Sequence, residues 1–202
     1  AVEVSDPIIY FNKAMFHFND KLYFWVLKPV GTVYKTILPE FVRIGIRNFF
    51  HNITFPVRFV SSAIQGKGER AQAELARFMF NSTFGVLCFG NPAKQFDHLN
   101  PPEEDLGQAF GHWGVGEGFY LVLPVLGPST ARDAVGLVGD YFLYPVTYLE
   151  CWETRLVINS TRVVNETSLR IGDYEVFKNA AIDPYASMRD GYIQDRRIDV
   201  VE

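Results

Sequence analysis

The residues best able to do chemistry in this 202-residue chain are four histidines and a glycine-rich segment. His17, His51, His98 and His112 are widely separated, and neither H-E-x-x-H nor a Cys/His spacing typical of zinc occurs. Residues 114–118 read Gly-Val-Gly-Glu-Gly, which departs from the dinucleotide fingerprint G-x-G-x-x-G and is not followed by the Lys-Ser/Thr of a P-loop. These patterns favour neither a metal site nor nucleotide binding, so we predict no cofactor.

The remaining candidates for catalysis are Ser129 and the acidic run at residues 103–105. Ser129 follows Gly127-Pro128 outside any G-x-S-x-G motif, so we interpret it as a helix N-cap. The acidic run precedes a predicted helix, whose dipole adjacent carboxylates would stabilise. The formal net charge of −4 comes from interspersed residues without a basic stripe, which argues against nucleic-acid binding. The sequence thus predicts no enzyme.

The elements that must position these residues are predicted to be mainly α-helical. Asp6-Pro7 resembles a helix start, and Pro29 is predicted to stop that helix after Leu27. Its apolar residues form one stripe and also occupy other faces. The stripe consists of Ile8, Phe11, Met15, Phe18, Leu22 and Trp25. Polar interruptions argue against a transmembrane span, so this helix should lie in a membrane interface or between other elements.

Further helices are predicted along most of the chain. They cover residues 40–50, a segment opened by Thr54 and closed by Gly66, residues 69–80, 153–164 and 173–180, and a segment opened by Asp183-Pro184. The middle of the chain, residues 107–139, is glycine-rich and contains the apolar run 119–126. We predict a buried strand or an apolar hairpin-like loop there. Without repeats or low-complexity linkers, residues 1–202 form a single predicted domain.

The aromatic content is unusually high, with 18 Phe, 10 Tyr and 3 Trp among 48% hydrophobic residues. An aromatic-rich core would account for this surplus. Helices that are apolar on several faces would instead place part of it on a surface in contact with lipid. Composition alone leaves both interpretations open.

Taken together, motifs along nearly the whole chain resemble the MlaA (VacJ) family of outer-membrane lipoproteins. The densest stretch runs from residue 104 to residue 133, and one departure from the family pattern is Phe119, where Pro is frequent. The motifs read EDLGQ at 104–108, GHWGVG at 111–116, YLVLP at 120–124, GPS at 127–129 and RD at 132–133, preceded by DP at 6–7 and LKPV at 27–30 and followed by DPY at 183–185.

The resemblance implies a flat, ring-like helical bundle with a glycine-rich hairpin-like loop around a central amphipathic channel. Such a protein would lie in the periplasmic leaflet of the outer membrane and remove mislocalised phospholipid from the outer leaflet. It would associate with a trimeric porin and pass lipid to the periplasmic carrier MlaC. The lipid-bearing cysteine of these lipoproteins is not in this chain.

The resemblance also implies roles for particular residues. The hairpin-like loop bordering the channel would contain Gly114, Gly116, Gly118, Tyr120, Pro124, Gly127 and Ser129. Arg43 and the pair Arg132 and Asp133 would make polar channel or hairpin contacts, or else form an ion pair and a helix cap. Phe18 and Asn19 would set the closed geometry of the ring.

Two other functions remain open at this stage. One is a soluble periplasmic carrier of hydrophobic ligands, whose apolar helices would enclose a cavity. The other is an enzyme that cleaves phospholipid or transfers acyl groups through His112 or Ser129.

Overall fold

The computed structural model describes residues 5–86 and 88–201. Within these residues the chain is mostly helical with a small two-stranded sheet, as predicted. The α-helices are α1 (Ile9–Leu22), α2 (Lys28–Ile37), α3 (Glu40–Ile53), α4 (Phe55–Ile64), α5 (Gly68–Phe84), α6 (Leu106–His112), α7 (Ala131–Leu143), α8 (Trp152–Leu169), α9 (Asp173–Ala180) and α10 (Pro184–Val201). The strands are β1 (Tyr120–Leu123) and β2 (Gly127–Thr130).

The first helix does not begin as predicted. Its N-cap is Ile8, and no side chain caps it. The Asp6 carboxylate instead accepts hydrogen bonds from the Asn12 amide at 2.8 Å and the Tyr185 hydroxyl at 2.5 Å. The N-cap prediction at Asp6 is wrong because distant side chains compete for the same carboxylate. The corresponding prediction for α10 is confirmed, since Asp183 accepts from the N–H groups of Tyr185 and Ala186.

The prediction that Pro29 ends the first helix is also wrong. Between α1 and α2 the chain continues as a π-helical segment, Tyr23–Leu27, and Pro29 lies in the first turn of α2. The N–H of Lys28 donates to the carbonyl of Tyr23, five residues back. This wider turn changes the hydrogen-bond register just before the proline, which has no N–H of its own to donate.

The elements pack in an order that closes on itself. The segment α1–α2 packs on α8, α8 on α3, α3 on α4, and α4 on α5 and α6. Helix α6 then packs on α7, α7 on β2, and β1 returns to α1. Helix α10 covers α6 and β2. The described residues therefore form a ring of helices that the hairpin completes.

The predicted hairpin is present at the point of closure. β1 and β2 are antiparallel, and their register pairs Tyr120 with Thr130 and Leu123 with Gly127. The N-cap of the following helix is Thr130, whose Oγ1 accepts the N–H of Asp133. The prediction that Ser129 caps α7 is wrong by one residue, because the helix begins at Ala131 and the Ser129 hydroxyl donates to the carbonyl of Thr130 instead.

The interior is unusually polar. Among the described residues, buried polar and charged side chains outnumber the buried apolar ones. The small apolar core lies under the hairpin and consists of Phe16, Tyr120, Val122, Tyr185 and Ile193. Many large apolar side chains are exposed instead, so the aromatic surplus does not reflect a rich core.

Candidate functional site

The ring contains a partly open cavity of about 750 Å³ that we call the apolar chamber. Helices α4, α7 and α8 supply most of its wall, and the tip of the hairpin reaches it through Leu126. Its apolar lining residues are Val57, Leu126, Leu137, Tyr141, Tyr144, Trp152 and Leu156.

A second cavity of about 750 Å³, the polar chamber, adjoins the first and shares lining residues with it. It is lined from α3, α5, α8 and the segment between α5 and α6. Its charged and amide residues are Arg47, Asn48, His51, Arg77, Asn91, Lys94, Asn100, Glu103, Arg162, Asn165, Glu166 and Arg170. Thr54, Glu103 and Arg162 line both chambers. The ring therefore encloses an amphipathic interior of a size typical of ligand sites.

Where the chambers meet, charged side chains are held in fixed pairs. Arg58 donates from Nε to Glu74 at 2.8 Å, and both side chains are buried. Arg77 Nη1 lies 3.8 Å from the same carboxylate. The hydrogen bond to His51, 2.9 Å long, lowers the pKa of Glu103 to about 2. Glu103 is therefore ionised at neutral pH.

The structure separates the predicted hairpin residues into two groups. Tyr120 is buried in the core, and Ser129 is buried in β2. Gly114 and Gly116 lie in an exposed segment before the hairpin and line neither chamber. Gly118 has a φ of +71°, and a Cβ there would approach Ala131 Cβ to 2.9 Å.

The turn itself also needs glycine. Gly127, which follows the turn between the strands, has a φ of +88° in the left-handed region that favours glycine. Pro124 directly follows β1 and begins this turn. The apolar run 119–126, predicted as a buried strand or a hairpin-like loop, thus contains both β1 and the turn.

Arg132 and Asp133 belong to a buried network beside the hairpin. Asp133 accepts hydrogen bonds from Arg132 Nε at 2.9 Å, Tyr192 Oη at 2.9 Å and Arg196 Nε at 3.0 Å. Arg196 also donates to both oxygens of Asp105. This network lines a cavity of about 250 Å³ that shares residues with the apolar chamber. It ties α6, α7 and α10 together.

Arg43 lies elsewhere, so it makes no hairpin contact. Its Nε donates to the carbonyl of Leu38 at 3.1 Å, and its Nη1 donates to that of Ser168 at 2.9 Å. These bonds join α3 to α8 beside a cavity of about 200 Å³. Phe18 is half exposed on α1.

Asn19 and its neighbour one heptad earlier, Asn12, fasten α1 to the free edge of β1. Asn12 donates to the carbonyl of Tyr120 at 2.9 Å and accepts the N–H of Val122 at 2.8 Å. Asn19 makes the equivalent pair of hydrogen bonds nearer the turn. It donates to the carbonyl of Leu123 at 2.9 Å and accepts the N–H of Val125 at 2.7 Å. The role of Asn12 was not predicted from the sequence, although the seven-residue spacing of two asparagines on an aromatic helix could have indicated it.

The carboxyl of Asp140 lines both the apolar chamber and the smaller cavity. Burial raises its pKa from 3.8 to about 6, although a hydrogen bond from Leu106 N–H opposes the shift. Since the folded-state pKa lies above the unfolded one, the folded protein binds more protons between about pH 4 and pH 6. The contribution of Asp140 to stability therefore falls as pH rises through this window.

We expect Asp140→Asn to raise the free energy of unfolding by about 1–2 kcal/mol at pH 7. The gain should vanish near pH 4, where the native carboxyl is already neutral. Urea unfolding at the two pH values measures it, with the exposed Asp97→Asn as the control. An equal gain in the free energy of unfolding at both pH values would show that the effect does not come from the ionisation of Asp140.

Ser129 and His112 do not meet as a nucleophile and base. Ser129 is buried, and its Oγ donates to the carbonyl of Thr130 at 3.3 Å. His112 is exposed and packs edge-on against Trp113. Within residues 5–86 and 88–201, no hydrogen bond joins the two side chains, and no group of three or more potential ligands is arranged to hold a metal ion.

The outer surface of the ring is apolar along its helices. On and just before α2, four side chains form a stripe at helical spacing, and α7 and α8 carry a second exposed set. The first set is Val26, Val30, Val33 and Ile37, and the second is Val135, Val138, Phe142 and Val157. In the part of the chain that is described, no helix combines the length and apolarity needed to cross a bilayer.

A helical ring with an amphipathic interior and an apolar exterior defines the class of this protein. A model of the MlaA lipoprotein family matches residues 4–199. The chain belongs to the MlaA lipoprotein family.

Relatives and a solved structure agree with this assignment. The intermembrane phospholipid transport system lipoprotein MlaA of Escherichia coli (strain K12) is 31% identical over 195 residues, which cover 94% of this chain and 76% of the relative. Its namesake from Haemophilus influenzae is 27% identical over 98% of this chain and 80% of its own. A structure described as the basis for maintenance of bacterial outer membrane lipid asymmetry has a TM-score of 0.83 and 28% identity, covering 97% of this chain and 99% of that chain.

Proposed function

We propose that this protein is a phospholipid channel in the periplasmic leaflet of a Gram-negative outer membrane. It removes mislocalised phospholipids from the outer leaflet and thereby maintains lipid asymmetry. The observation that carries the proposal is the pair of adjoining chambers, one apolar and one polar, inside a ring with an apolar exterior.

The physical argument concerns the two parts of a phospholipid. Moving a charged head group through hydrocarbon without polar partners is costly. The polar chamber offers such partners, while the apolar chamber accommodates acyl chains. The apolar stripe at Val26, Val30, Val33 and Ile37 would meet the surrounding lipid.

The proposal includes the partners that the family resemblance implies. The E. coli and H. influenzae relatives are named as lipoproteins of an intermembrane phospholipid transport system. For this chain we propose a lipid anchor, association with a trimeric porin, and delivery of phospholipid to a periplasmic carrier of the MlaC type.

The alternative is a soluble periplasmic carrier of hydrophobic ligands, for which the apolar chamber would be the binding site. Extraction of the protein without its anchor separates the two. A carrier would stay in the aqueous phase, whereas the channel requires detergent because its exterior is apolar. An acyl-transfer enzyme would release fatty acid from labelled phospholipid, which a channel does not.

The channel role also requires movement of the glycine-rich segment before the hairpin. A Cβ at Gly116 would meet nothing within 4 Å, so Gly116→Val should fold normally and only stiffen the segment. We expect it to raise outer-leaflet phospholipid several-fold in cells that depend on this protein. Gly191→Val on α10, where the Cβ also meets nothing within 4 Å, is the matched control. Unchanged asymmetry at normal protein level would refute the gating role.

A further inference from the structure

The polar chamber carries more positive than negative charge. Five cationic side chains line it against two carboxylates, Glu103 and Glu166. Both carboxylates already have partners, since Glu103 pairs with His51 at 2.9 Å and Glu166 with Arg170 at 2.8 Å. The cations therefore exceed the negative charge that the chamber itself provides.

Three of these cations come from separate elements and face the same space. They are Arg47 on α3, Lys94 between α5 and α6, and Arg162 on α8. Within the described ranges, no carboxylate lies at ion-pair distance from any of the three. Arg162 instead lies over the ring of Tyr144, with Cζ 5.8 Å from the ring centroid.

The fourth cation, Arg77, is buried with part of its hydrogen-bonding capacity unused. Its residue is 9% exposed and lines the polar chamber, and its Nε has no hydrogen-bond partner among the described residues. It shares the single buried carboxylate of Glu74 with Arg58, which lies closer. The positive charge of Arg77 is therefore only partly balanced by Glu74, and an anion in the polar chamber would balance the rest.

We propose that the polar chamber binds a phosphate group at Arg47, Arg77, Lys94 and Arg162. Resting on the proposed function, this assigns the chamber to the phosphate of a phospholipid head group. Guanidinium groups suit phosphate because their N–H donors match its oxygens in geometry and charge. The adjoining apolar chamber lies where acyl chains attached to that phosphate would extend. Free phosphate has the same anionic chemistry but would leave the apolar chamber empty.

Isothermal titration of the full chain in maltoside micelles tests the proposal. The probes are dihexanoyl-phosphatidylglycerol, dihexanoylglycerol without phosphate, and inorganic phosphate. Because Arg47 and Lys94 are exposed, the double variant Arg47→Glu/Lys94→Glu should fold. We expect its affinity for the phospholipid to fall by roughly 10-fold or more, and its affinity for dihexanoylglycerol to stay unchanged.

The control is Lys35→Glu, which reverses an exposed charge on α2 outside both chambers and should leave both affinities unchanged. Arg77→Gln should weaken the binding of the phospholipid but not that of dihexanoylglycerol. Arg77→Lys should retain part of the affinity for the phospholipid. Equal losses for both glycerolipids, or no loss, would overturn the proposal. Binding of inorganic phosphate that these variants abolish, without any effect on phospholipid, would overturn the head-group assignment.

This outcome is separable from that of the proposed function. If phosphate discrimination persists in micelles while cells lacking the protein keep normal lipid asymmetry, the proposed function fails and the phosphate site stands. If asymmetry depends on the protein but the double variant binds phospholipid normally, the phosphate site fails and the proposed function stands.

Discussion

Asp133→Ala is expected to lower the free energy of unfolding by about 3–5 kcal/mol, the largest effect of any single change considered. The Asp133 side chain is buried and accepts hydrogen bonds from Arg132, Tyr192 and Arg196. Its removal takes away the carboxylate that pairs with Arg132 and leaves Arg196 with Asp105 at 2.8 Å and the more distant Asp199 at 3.9 Å. Helix α10 would then lose its anchor on α7.

Urea unfolding of the detergent-solubilised protein, followed by far-ultraviolet circular dichroism, measures this loss. Asp190→Ala is the matched control, because Asp190 also pairs with an arginine, at 2.8 Å, but is half exposed. It should cost no more than about 1 kcal/mol. Similar decreases in the free energy of unfolding for the two variants would show that the buried network contributes no more stability than an exposed ion pair.

The pH dependence of the Asp133 variant follows from the same contacts. The opposing effect of burial is outweighed by the hydrogen bonds and charges of Arg196 and Arg132, which hold the pKa of Asp133 below its ordinary 3.8. Since the folded pKa is lowered, the stabilisation is complete above the unfolded pKa and disappears as pH falls through the folded one. The difference between wild type and Asp133→Ala should thus be largest at neutral pH and shrink in strong acid.

Asn12→Ala is expected to destabilise the protein by about 2–4 kcal/mol. Asn12 is fully buried and supplies both a donor and an acceptor to the edge of β1. Without it, the carbonyl of Tyr120 and the N–H of Val122 lose their partners on the helix side, and the Asp6 carboxylate loses a donor. The closure between α1 and the hairpin would weaken.

Two other asparagine variants serve as comparisons for Asn12→Ala. Asn19→Ala removes the equivalent pair of bonds at Leu123 and Val125, but in a partly exposed position, and should cost about 1 kcal/mol. Asn48→Ala removes one exposed bond to Phe89 and should cost less still. Thermal melts in the same detergent rank the stability losses of the three variants. A loss for Asn12→Ala no larger than that for Asn48→Ala would contradict the proposed role of Asn12 in joining α1 to β1.

Much of the local structure was predictable from local signals. The helix at 173–180 was predicted with its observed bounds, and the start of α10 at Asp183-Pro184 follows from capping by Asp183. The apolar run between Gly118 and Gly127 predicted a strand or hairpin-like loop because such runs, bounded by turn residues, are typical of buried strands and hairpins. The prediction at Asp6 failed because its carboxylate bonds to other side chains, Tyr185 among them. The prediction at Pro29 failed because a π-helical turn precedes the proline. The prediction at Ser129 failed because the next residue, Thr130, is the N-cap.

The family could also be identified from sequence, because many of its motifs occur in the family's order along nearly the whole chain. Composition and periodicity did not decide whether the surplus aromatic side chains lie in the core or on the surface. Periodicity reports how apolar a helix face is, but it cannot say what that face meets.

Sequence by itself determined the family, most helices and the position of the hairpin, since these depend on residues close together in the chain. The folded structure was needed to show which elements close the ring, that Asn12 pairs with β1 more than 100 residues away, and that Arg47, Arg77 and Arg162 line one chamber. The reason is physical: hydrogen bonds and charge interactions act over a few ångströms of space, and sequence separation carries little information about which distant groups come within that range.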